Sequence, residues 1–341
     1  MPRFLPSWAV MLLAPAVALA QPAVLDDTRL PFGGESVRQQ YRTFLTTNLP
    51  RSFALSTDGK FGWQSRAPTP EATRAAALAS CEKKGGQGCT VYAEDLAIVW
   101  PGRAAPPPPD PPGALISGPG YDFIPDPRFI WWGPQAARGV YVFGHGRDAD
   151  RADLRGVQPQ AHVRAYNNAG FDVVRFDRAP HSDDKERAAC WLRDGLRELR
   201  RRGWKMIVAG GQSRGGWNSL QALDTPGLAD VVIAVSAATY GTDAGAQASR
   251  GQAELYRIFS AATGKTRVAI IQFKDDPFEQ NPEKRLAMAR ELLPSRVAAL
   301  LVIDQPAGLA GHGGGGNLAF AQRFGGCLLR FGIDPVPPSA C

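Results

Sequence analysis

Strand-length apolar runs alternate with helix-compatible stretches over the C-terminal two thirds of the chain. Within 184–202, Leu192, Leu196 and Leu199 recur on one helical face, which predicts an amphipathic helix. Strands are predicted at 140–143, 171–176, 205–209, 231–235, 268–273 and 299–303. Further helices are predicted at 161–168, 217–223, 253–262, 282–293 and 317–331. Strands that alternate with helices are typical of a mostly parallel, twisted sheet with helices on both faces, so the predicted fold class is α/β.

The N-terminal part has a different pattern, which predicts a small α+β unit over 36–100. A helix is predicted at 37–45, and Thr69 and Pro70 supply an N-cap and a first helical position for a second one ending near Cys81. Strands are predicted at 52–56, 61–63, 90–93 and 96–100. This unit contains no histidine. We therefore expect it to pack, contact substrate or bind a partner rather than carry the chemistry.

Composition divides the chain into four segments. Residues 1–20 have a basic start, an apolar stretch and a small-residue cleavage site, which is the pattern of an export signal. The proline run at 106–112 favours extended polyproline geometry and marks a semi-rigid linker. The predicted division is a signal peptide at 1–20, an N-terminal domain at 21–101, a linker at 102–113 and a catalytic domain at 114–341.

A Gly-x-Ser-x-Gly motif at Gly211, Ser213 and Gly215 joins the third predicted strand of the larger unit, at 205–209, to a helix-compatible segment. A strand that leads through this motif into a helix is typical of a nucleophile elbow, in which the serine is held on a strained turn. The flanking glycines are expected because a Cβ there would strike neighbouring backbone. The pattern predicts Ser213 as a catalytic nucleophile.

A nucleophilic serine needs a base, and the base needs an acid to orient it. In an elbow architecture the acid and the histidine follow the serine in that order, at the ends of later strands. Asp275 and Asp276 follow the strand at 268–273, and His312 follows the strand at 299–303 as the only histidine after Ser213. We predict His312 as the base and Asp276 as the acid, with Asp275 as the alternative.

The developing oxyanion also needs backbone N–H donors. The first is predicted at Arg214, immediately after the nucleophile, and the second at Arg147, with Gly146 as the alternative. His145, in the same loop, is expected to be structural. The glycine run at 313–316 resembles a lipase oxyanion loop, but it follows the elbow rather than preceding it, so it is not assigned that role.

With these motifs, residues 114–341 resemble the α/β-hydrolase superfamily, near its small serine esterase and dienelactone-hydrolase-like members. The resemblance implies an α/β-hydrolase fold, a Ser-His-Asp triad, and no metal or other cofactor. The leading hypothesis is an exported carboxylic-ester hydrolase acting through an acyl-enzyme on a small-molecule or polymer-linked ester. The alternatives are a serine peptidase or amidase of the same fold, and a non-catalytic binding protein. Because 237–250 is short and rich in alanine and glycine, we expect an open cleft.

Charge and cysteine content refine this picture. Removal of Arg3 with the signal lowers the formal charge from +7 to +6, and the basic residues are scattered, so nucleic-acid binding is not predicted. After signal removal no segment is predicted to span a membrane.

An exported chain with five cysteines suggests disulfides, with Cys81–Cys89 and Cys327–Cys341 as candidates. Cys190 is expected to be a buried small hydrophobe. The oligomeric state stays open.

Overall fold

The computed structural model describes residues 21–148, 150, 152–242, 245–279 and 281–341. The predicted export signal at 1–20 lies outside the described residues. The strands are β1 Arg51–Leu55, β2 Phe61–Ser65, β3 Thr90–Glu94, β4 Ala97–Ile98, β5 Ile116–Gly118, β6 Tyr121–Pro125, β7 Gly139–Gly144, β8 Phe171–Arg178, β9 Ile207–Gln212, β10 Val231–Val235, β11 Arg267–Gln272 and β12 Ala299–Asp304. The helices are α1 Glu35–Leu45, α2 Pro70–Lys83, α3 Val163–Asn168, α4 Lys185–Arg201, α5 Arg214–Gln221, α6 Ala246–Ala261, α7 Pro282–Leu292 and α8 Leu318–Ile333.

The larger sheet has eight strands in the order β12-β11-β10-β9-β7-β8-β6-β5. The strands from β7 to β12 pair in parallel, whereas β6 is antiparallel to both β5 and β8. Helices α4 to α7 bury their apolar residues on one face of this sheet, and α3 and α8 cover the other. Both faces are covered, so β7 and β10 are buried along their whole length and β9 up to its last residue, Gln212. This sheet confirms the predicted fold class.

The smaller sheet has four antiparallel strands in the order β2-β1-β3-β4. Helix α2 lies across β1 and β2, and the Thr69 hydroxyl accepts the Ala72 N–H as the predicted N-cap. A disulfide joins Cys81, near the end of α2, to Cys89, and a second joins Cys327 to Cys341. For a loop as short as the first one, whose cysteines are 8 residues apart, a chain-entropy model assigns about 2.5 kcal/mol of stabilisation.

Two predicted elements have different bounds in the structure. The strand predicted at 96–100 is reduced to Ala97–Ile98, because the chain turns at Pro101 and Gly102 and returns to pair Ala105 with Ile98. The helix predicted at 253–262 begins earlier, at Ala246. Its glycine at 251 lowers the local helix propensity, but a Cβ there would lie 3.2 Å from the Tyr240 ring, so close packing favours the small residue.

The prediction that Cys190 is buried is wrong, because this cysteine is exposed. The buried positions Ala188 and Leu192 lie two residues before and after it on α4. Two residues are about 200° of helical rotation, so Cys190 lies on the opposite face, toward solvent.

Candidate active site

Ser213 lies on a tight turn between β9 and α5. Its backbone has φ 56° and ψ −121°, an unusual conformation for a residue with a side chain. Its backbone N–H donates to the Val235 carbonyl at 3.0 Å and its carbonyl accepts the Trp217 N–H at 3.0 Å. The turn is thereby fixed to the neighbouring strand and to the helix that follows. This is the strained strand-to-helix geometry expected of a nucleophile elbow.

The two glycines of the motif are needed because another loop approaches them closely. A Cβ on Gly215 would lie 1.9 Å from the Gly144 carbonyl oxygen, and a Cβ on Gly211 would lie 2.5 Å from the same atom. Real Cβ atoms do not tolerate such distances. The end of β7 therefore packs directly against the serine turn, and the loop that follows β7 is brought beside Ser213.

Asp276 and His312 are in direct contact. The His312 Nδ1 lies 2.9 Å from both carboxylate oxygens of Asp276, so the ring donates to this carboxylate through Nδ1–H. The carboxylate is buried and also accepts the Phe278 backbone N–H at 2.9 Å. The neighbouring Asp275 is exposed and adopts a positive φ of 58°. Its backbone turn directs the chain so that the second aspartate of the pair points to the histidine.

Contacts between loops bring His312 to the serine side of the sheet. The Gly311 N–H donates to the Lys274 carbonyl at 2.7 Å, which joins the loops after β11 and β12. The Gln212 amide donates to the His312 carbonyl at 3.2 Å, which joins the histidine loop to the residue before Ser213. The Phe278 ring packs on the imidazole with centroids 4.3 Å apart. Phe278 and Ser213 line one cleft of about 230 Å³.

The candidate oxyanion donors lie around the same cleft. Arg214 is the first residue of α5, so its backbone N–H belongs to the unpaired, partly positive end of that helix. A Cβ on Gly146 would lie 3.4 Å from the Ser213 Cβ, which places this backbone next to the serine. Arg147 is exposed and lines the cleft together with Ser213 and Arg214. Both proposed second donors are therefore near the serine.

Hydrogen bonds of His145 and Arg178 fix the loop that carries Gly146 and Arg147. His145 is buried; its Nδ1–H donates to the Gly146 carbonyl at 2.6 Å, and its Nε2 accepts the Arg178 backbone N–H at 3.0 Å. Burial, and secondarily the positive charge of Arg178, lowers the pKa of His145 to about 3, so the ring is neutral. These contacts support a structural role for His145.

Arg178 was not singled out by the sequence. It is fully buried, donates to the His145 carbonyl at 2.6 Å and pairs with Asp183 at 3.1 Å. An arginine at the end of a strand gives no motif signal, because the loop that it supports lies more than thirty residues earlier in the chain. Its guanidinium fixes the backbone on which the candidate oxyanion donors lie.

The glycines after His312 have a packing role. A Cβ on Gly314 would lie 2.5 Å from the Phe273 ring, and one on Gly315 would lie 2.4 Å from Val235. These glycines thus allow the histidine loop to lie closely on the ends of β10 and β11. Among the described residues, no group of three or more His, Cys, Asp or Glu side chains is arranged to hold a metal ion. In the same residues, no helix is both long and apolar enough to cross a bilayer.

The fold was compared with solved structures and the sequence with known proteins. No family model and no curated protein matches the chain. A serine hydrolase homologue from Coxiella burnetii is 16% identical, with 64% of this chain and 98% of that chain covered and a TM-score of 0.44. The esterase Pf2001 from Pyrococcus furiosus is 13% identical, covering 60% and 84% with a TM-score of 0.41.

A truncated carbohydrate esterase from gut microbiota is 15% identical, covering 60% of this chain and 88% of that chain with a TM-score of 0.44. The fold assignment rests on the sheet itself, with its strand order, its antiparallel pairing of β6 and its serine turn after β9. By this architecture the chain has the α/β-hydrolase fold, to which its sequence also shows a resemblance.

Proposed function

We propose that this protein is a serine hydrolase that cleaves carboxylic esters through an acyl-enzyme. The observation that carries the proposal is Ser213 on its strained turn, in a cleft that it shares with Phe278. The Phe278 ring packs on His312, which is hydrogen-bonded to the buried Asp276. A serine hydroxyl becomes an effective nucleophile only when such an oriented base can take its proton.

In the proposed reaction the Ser213 oxygen attacks the ester carbonyl while His312 accepts the serine proton at Nε2. Asp276 holds the Nδ1–H tautomer and stabilises the imidazolium that forms. The backbone N–H of Arg214, with that of Arg147 or Gly146, would bind the oxyanion. Collapse of the intermediate breaks the bond to the alcohol, which takes the proton from His312. A water molecule, deprotonated by His312, then attacks the acyl-enzyme. The bond to the Ser213 oxygen breaks, that oxygen takes the proton from His312, and the carboxylic acid is released.

We also propose that the protein is exported, to the periplasm or the medium, after removal of 1–20. Two disulfides among the described residues support an oxidising compartment. In the proposed division, 21–101 forms an accessory domain, 102–113 a linker and 114–341 the catalytic domain. The substrate is proposed to be a small-molecule or polymer-linked ester rather than a nucleic acid.

The experiment that tests the proposal is the Ser213→Ala variant, assayed on p-nitrophenyl acetate and with a fluorophosphonate probe. We expect turnover to fall by at least about three orders of magnitude, because the remaining oxyanion hole and binding groups give only weak catalysis. The probe should label Ser213 in the unaltered protein, as located by peptide mass spectrometry.

Ser236→Ala is the matched control. Ser236 also follows a central strand, has a positive φ of 44° and is buried, but it is not part of the proposed machinery. It should keep most of the activity and the probe label. Near-normal turnover by Ser213→Ala, or labelling of a different serine, would refute the assignment.

A further inference from the structure

The side chain of Arg214 is buried, and no acidic side chain among the described residues forms an ion pair with it. The residue is 5% exposed, and neither Nε nor Nη1 has a hydrogen-bond partner in the part of the chain that the structure describes. A guanidinium removed from water is normally paired, because desolvation of an unpaired charge is costly. Arg214 also lines the cleft with Ser213 and Arg147. A molecule bound in this cleft would therefore lie next to Arg214 and could supply an acceptor.

The two carboxylates whose charges act on this arginine, Asp183 and Glu186, have other partners, and so has the cleft carboxylate Asp148. Glu186 pairs with Lys185 at 3.3 Å. Asp183 pairs with the Arg178 guanidinium at 3.1 Å. Asp148 lines the same cleft, but its Oδ1 accepts the backbone N–H of Asp150 at 2.8 Å and of Ala152 at 3.4 Å, within its own loop.

Arg147 is a second guanidinium at the wall of the cleft. Burial lowers the pKa of Arg214; the negative charge of Asp183 opposes this, and the positive charges of Arg147 and Arg178 add to it. An anion bound between the two cleft arginines would compensate both the burial and the repulsion.

We infer that the guanidinium of Arg214, with Arg147, forms an anion subsite beside Ser213, and that the ester cleaved here carries a carboxylate close to its scissile bond. A planar guanidinium can donate two parallel hydrogen bonds to a carboxylate, which gives orientation as well as affinity. This inference rests on the proposed function, because it names the substrate class of the same site. The carboxylate can belong to the acyl half or to the alcohol half of the ester.

Two pairs of esters test the inference and distinguish the halves. Monoethyl glutarate and ethyl glutaramate differ only by a carboxylate or a carboxamide on the acyl side. The acetates of 4-hydroxybenzoate and 4-hydroxybenzamide differ in the same way on the alcohol side. For one pair we expect kcat/KM to be about tenfold or more higher for the carboxylate member, as is typical of a charge-assisted contact.

The variant that removes the subsite is Arg214→Met, which keeps the backbone N–H. It should reduce the carboxylate-to-carboxamide ratio of kcat/KM to about one, within the precision of such assays. Arg214→Lys should give an intermediate ratio, since it keeps the charge without the planar fork. Arg147→Gln should lower the ratio by a smaller factor. Arg290→Gln, an exposed arginine on α7, is the control for loss of one positive charge and should keep the ratio.

The outcomes separate this inference from the proposed function. If Ser213 is required for turnover but neither carboxylate ester is preferred, the subsite is refuted and the hydrolase remains. If Arg214→Met slows both members of a pair equally, the side chain acts on the reacting oxygen or on folding, which also refutes the subsite.

A binding measurement covers the case in which Ser213 proves unnecessary for turnover. Calorimetric titration with glutarate and with 4-hydroxybenzoate should show binding of one of them that Arg214→Met weakens about tenfold. Equal affinities in the two proteins would overturn the subsite without reference to catalysis. Equal melting temperatures of Arg214→Met and the parent would show that the loss of affinity is not due to unfolding.

Discussion

At the scale of single residues, the backbone turn at Asp275 determines which of two adjacent aspartates contacts His312. Asp275 takes a positive φ of 58° and remains exposed, so the chain reverses there and Asp276 turns inward. Sequence spacing alone favoured Asp276 but left Asp275 open, because both residues follow the same strand. The difference is a backbone rotation that residue type does not determine.

The first residue-scale prediction concerns this pair. Asp276→Asn should lower kcat by about 10³- to 10⁴-fold, because an amide donates to Nδ1 and stabilises the wrong histidine tautomer. Asp275→Asn is the matched control and should change kcat by no more than a factor of ~3, as a surface substitution. Steady-state kinetics on one short ester measures both. The opposite ranking would transfer the acid role to Asp275.

The second residue-scale prediction concerns acid stability. Burial holds the pKa of His145 at about 3, well below its usual 6.5, so below pH 6.5 the unfolded chain binds a proton that the folded state does not. The stabilisation from a neutral His145 is therefore complete above pH 6.5 and is lost as the pH falls toward 3. Each unit of pKa difference corresponds to about 1.4 kcal/mol, so the free energy of unfolding should fall markedly in this window.

Melting temperatures between pH 7 and pH 4.5 check this expectation. His145→Gln should be less stable than the parent at pH 7 because two hydrogen bonds are lost, yet it should lose less stability on acidification. His181→Gln, at an exposed histidine, should keep the parent's pH dependence. Parallel curves for His145→Gln and the parent would contradict the buried neutral ring.

At the scale of elements, long periodic segments were predictable from the sequence and short edge segments were not. All six predicted strands of the larger sheet are present, because buried parallel strands carry continuous apolar runs. The hairpin of β5 and β6 was not predicted. Its strands have 3 and 5 residues, lie at the sheet edge and are interrupted by proline and glycine, so they lack a strong period.

The same distinction applies to the candidate site. Ser213, Asp276 and His312 could be singled out because each follows a predictable strand and the fold brings strand ends to one edge. Arg178 could not, because its function as a loop support depends on the approach of β7 and β8, which are separated along the chain. The exposure of Cys190 depends on which face α4 turns to the sheet, and a prediction that used only neighbouring residues missed it.

At the scale of the whole molecule, the N-terminal unit shares its core with the rest of the chain. Ile130, which lies between β6 and β7, is 2% exposed and packs in one apolar cluster with Phe44, Phe53 and Tyr92. Polar contacts cross the same junction: the Asn48 amide donates to the Pro159 carbonyl at 2.8 Å, for example. The two sheets are thus joined by a buried interface and not only by the proline-rich segment.

The N-terminal unit also reaches the loops of the candidate site. Arg66 donates to the Gly316 carbonyl at 3.1 Å, close to the histidine loop. Asn48 and Arg66 line a second cavity of about 230 Å³ together with Gly146 and Gln212, which flank the serine turn. The proposed accessory domain is therefore placed to contact a substrate that extends beyond the cleft.

The last prediction follows from this junction and concerns the fragment 114–341. In the isolated fragment Ile130 would lose its cover, at a cost of about 2 kcal/mol for one such side chain, and the buried Arg164 would lose its contact with Asn48. We expect the fragment to bind an apolar dye and to melt less cooperatively than the chain 21–341, even though the residues that carry the proposed chemistry all lie within it. Calorimetry and dye fluorescence on both proteins measure this.

A fragment that melts in one sharp transition and hydrolyses a short acetate ester at the rate of the longer chain would show that the shared core is dispensable. If that fragment then failed only on bulky esters, the N-terminal unit would be a specificity module; if it folded but hydrolysed no ester at all, the unit would belong to the active site itself.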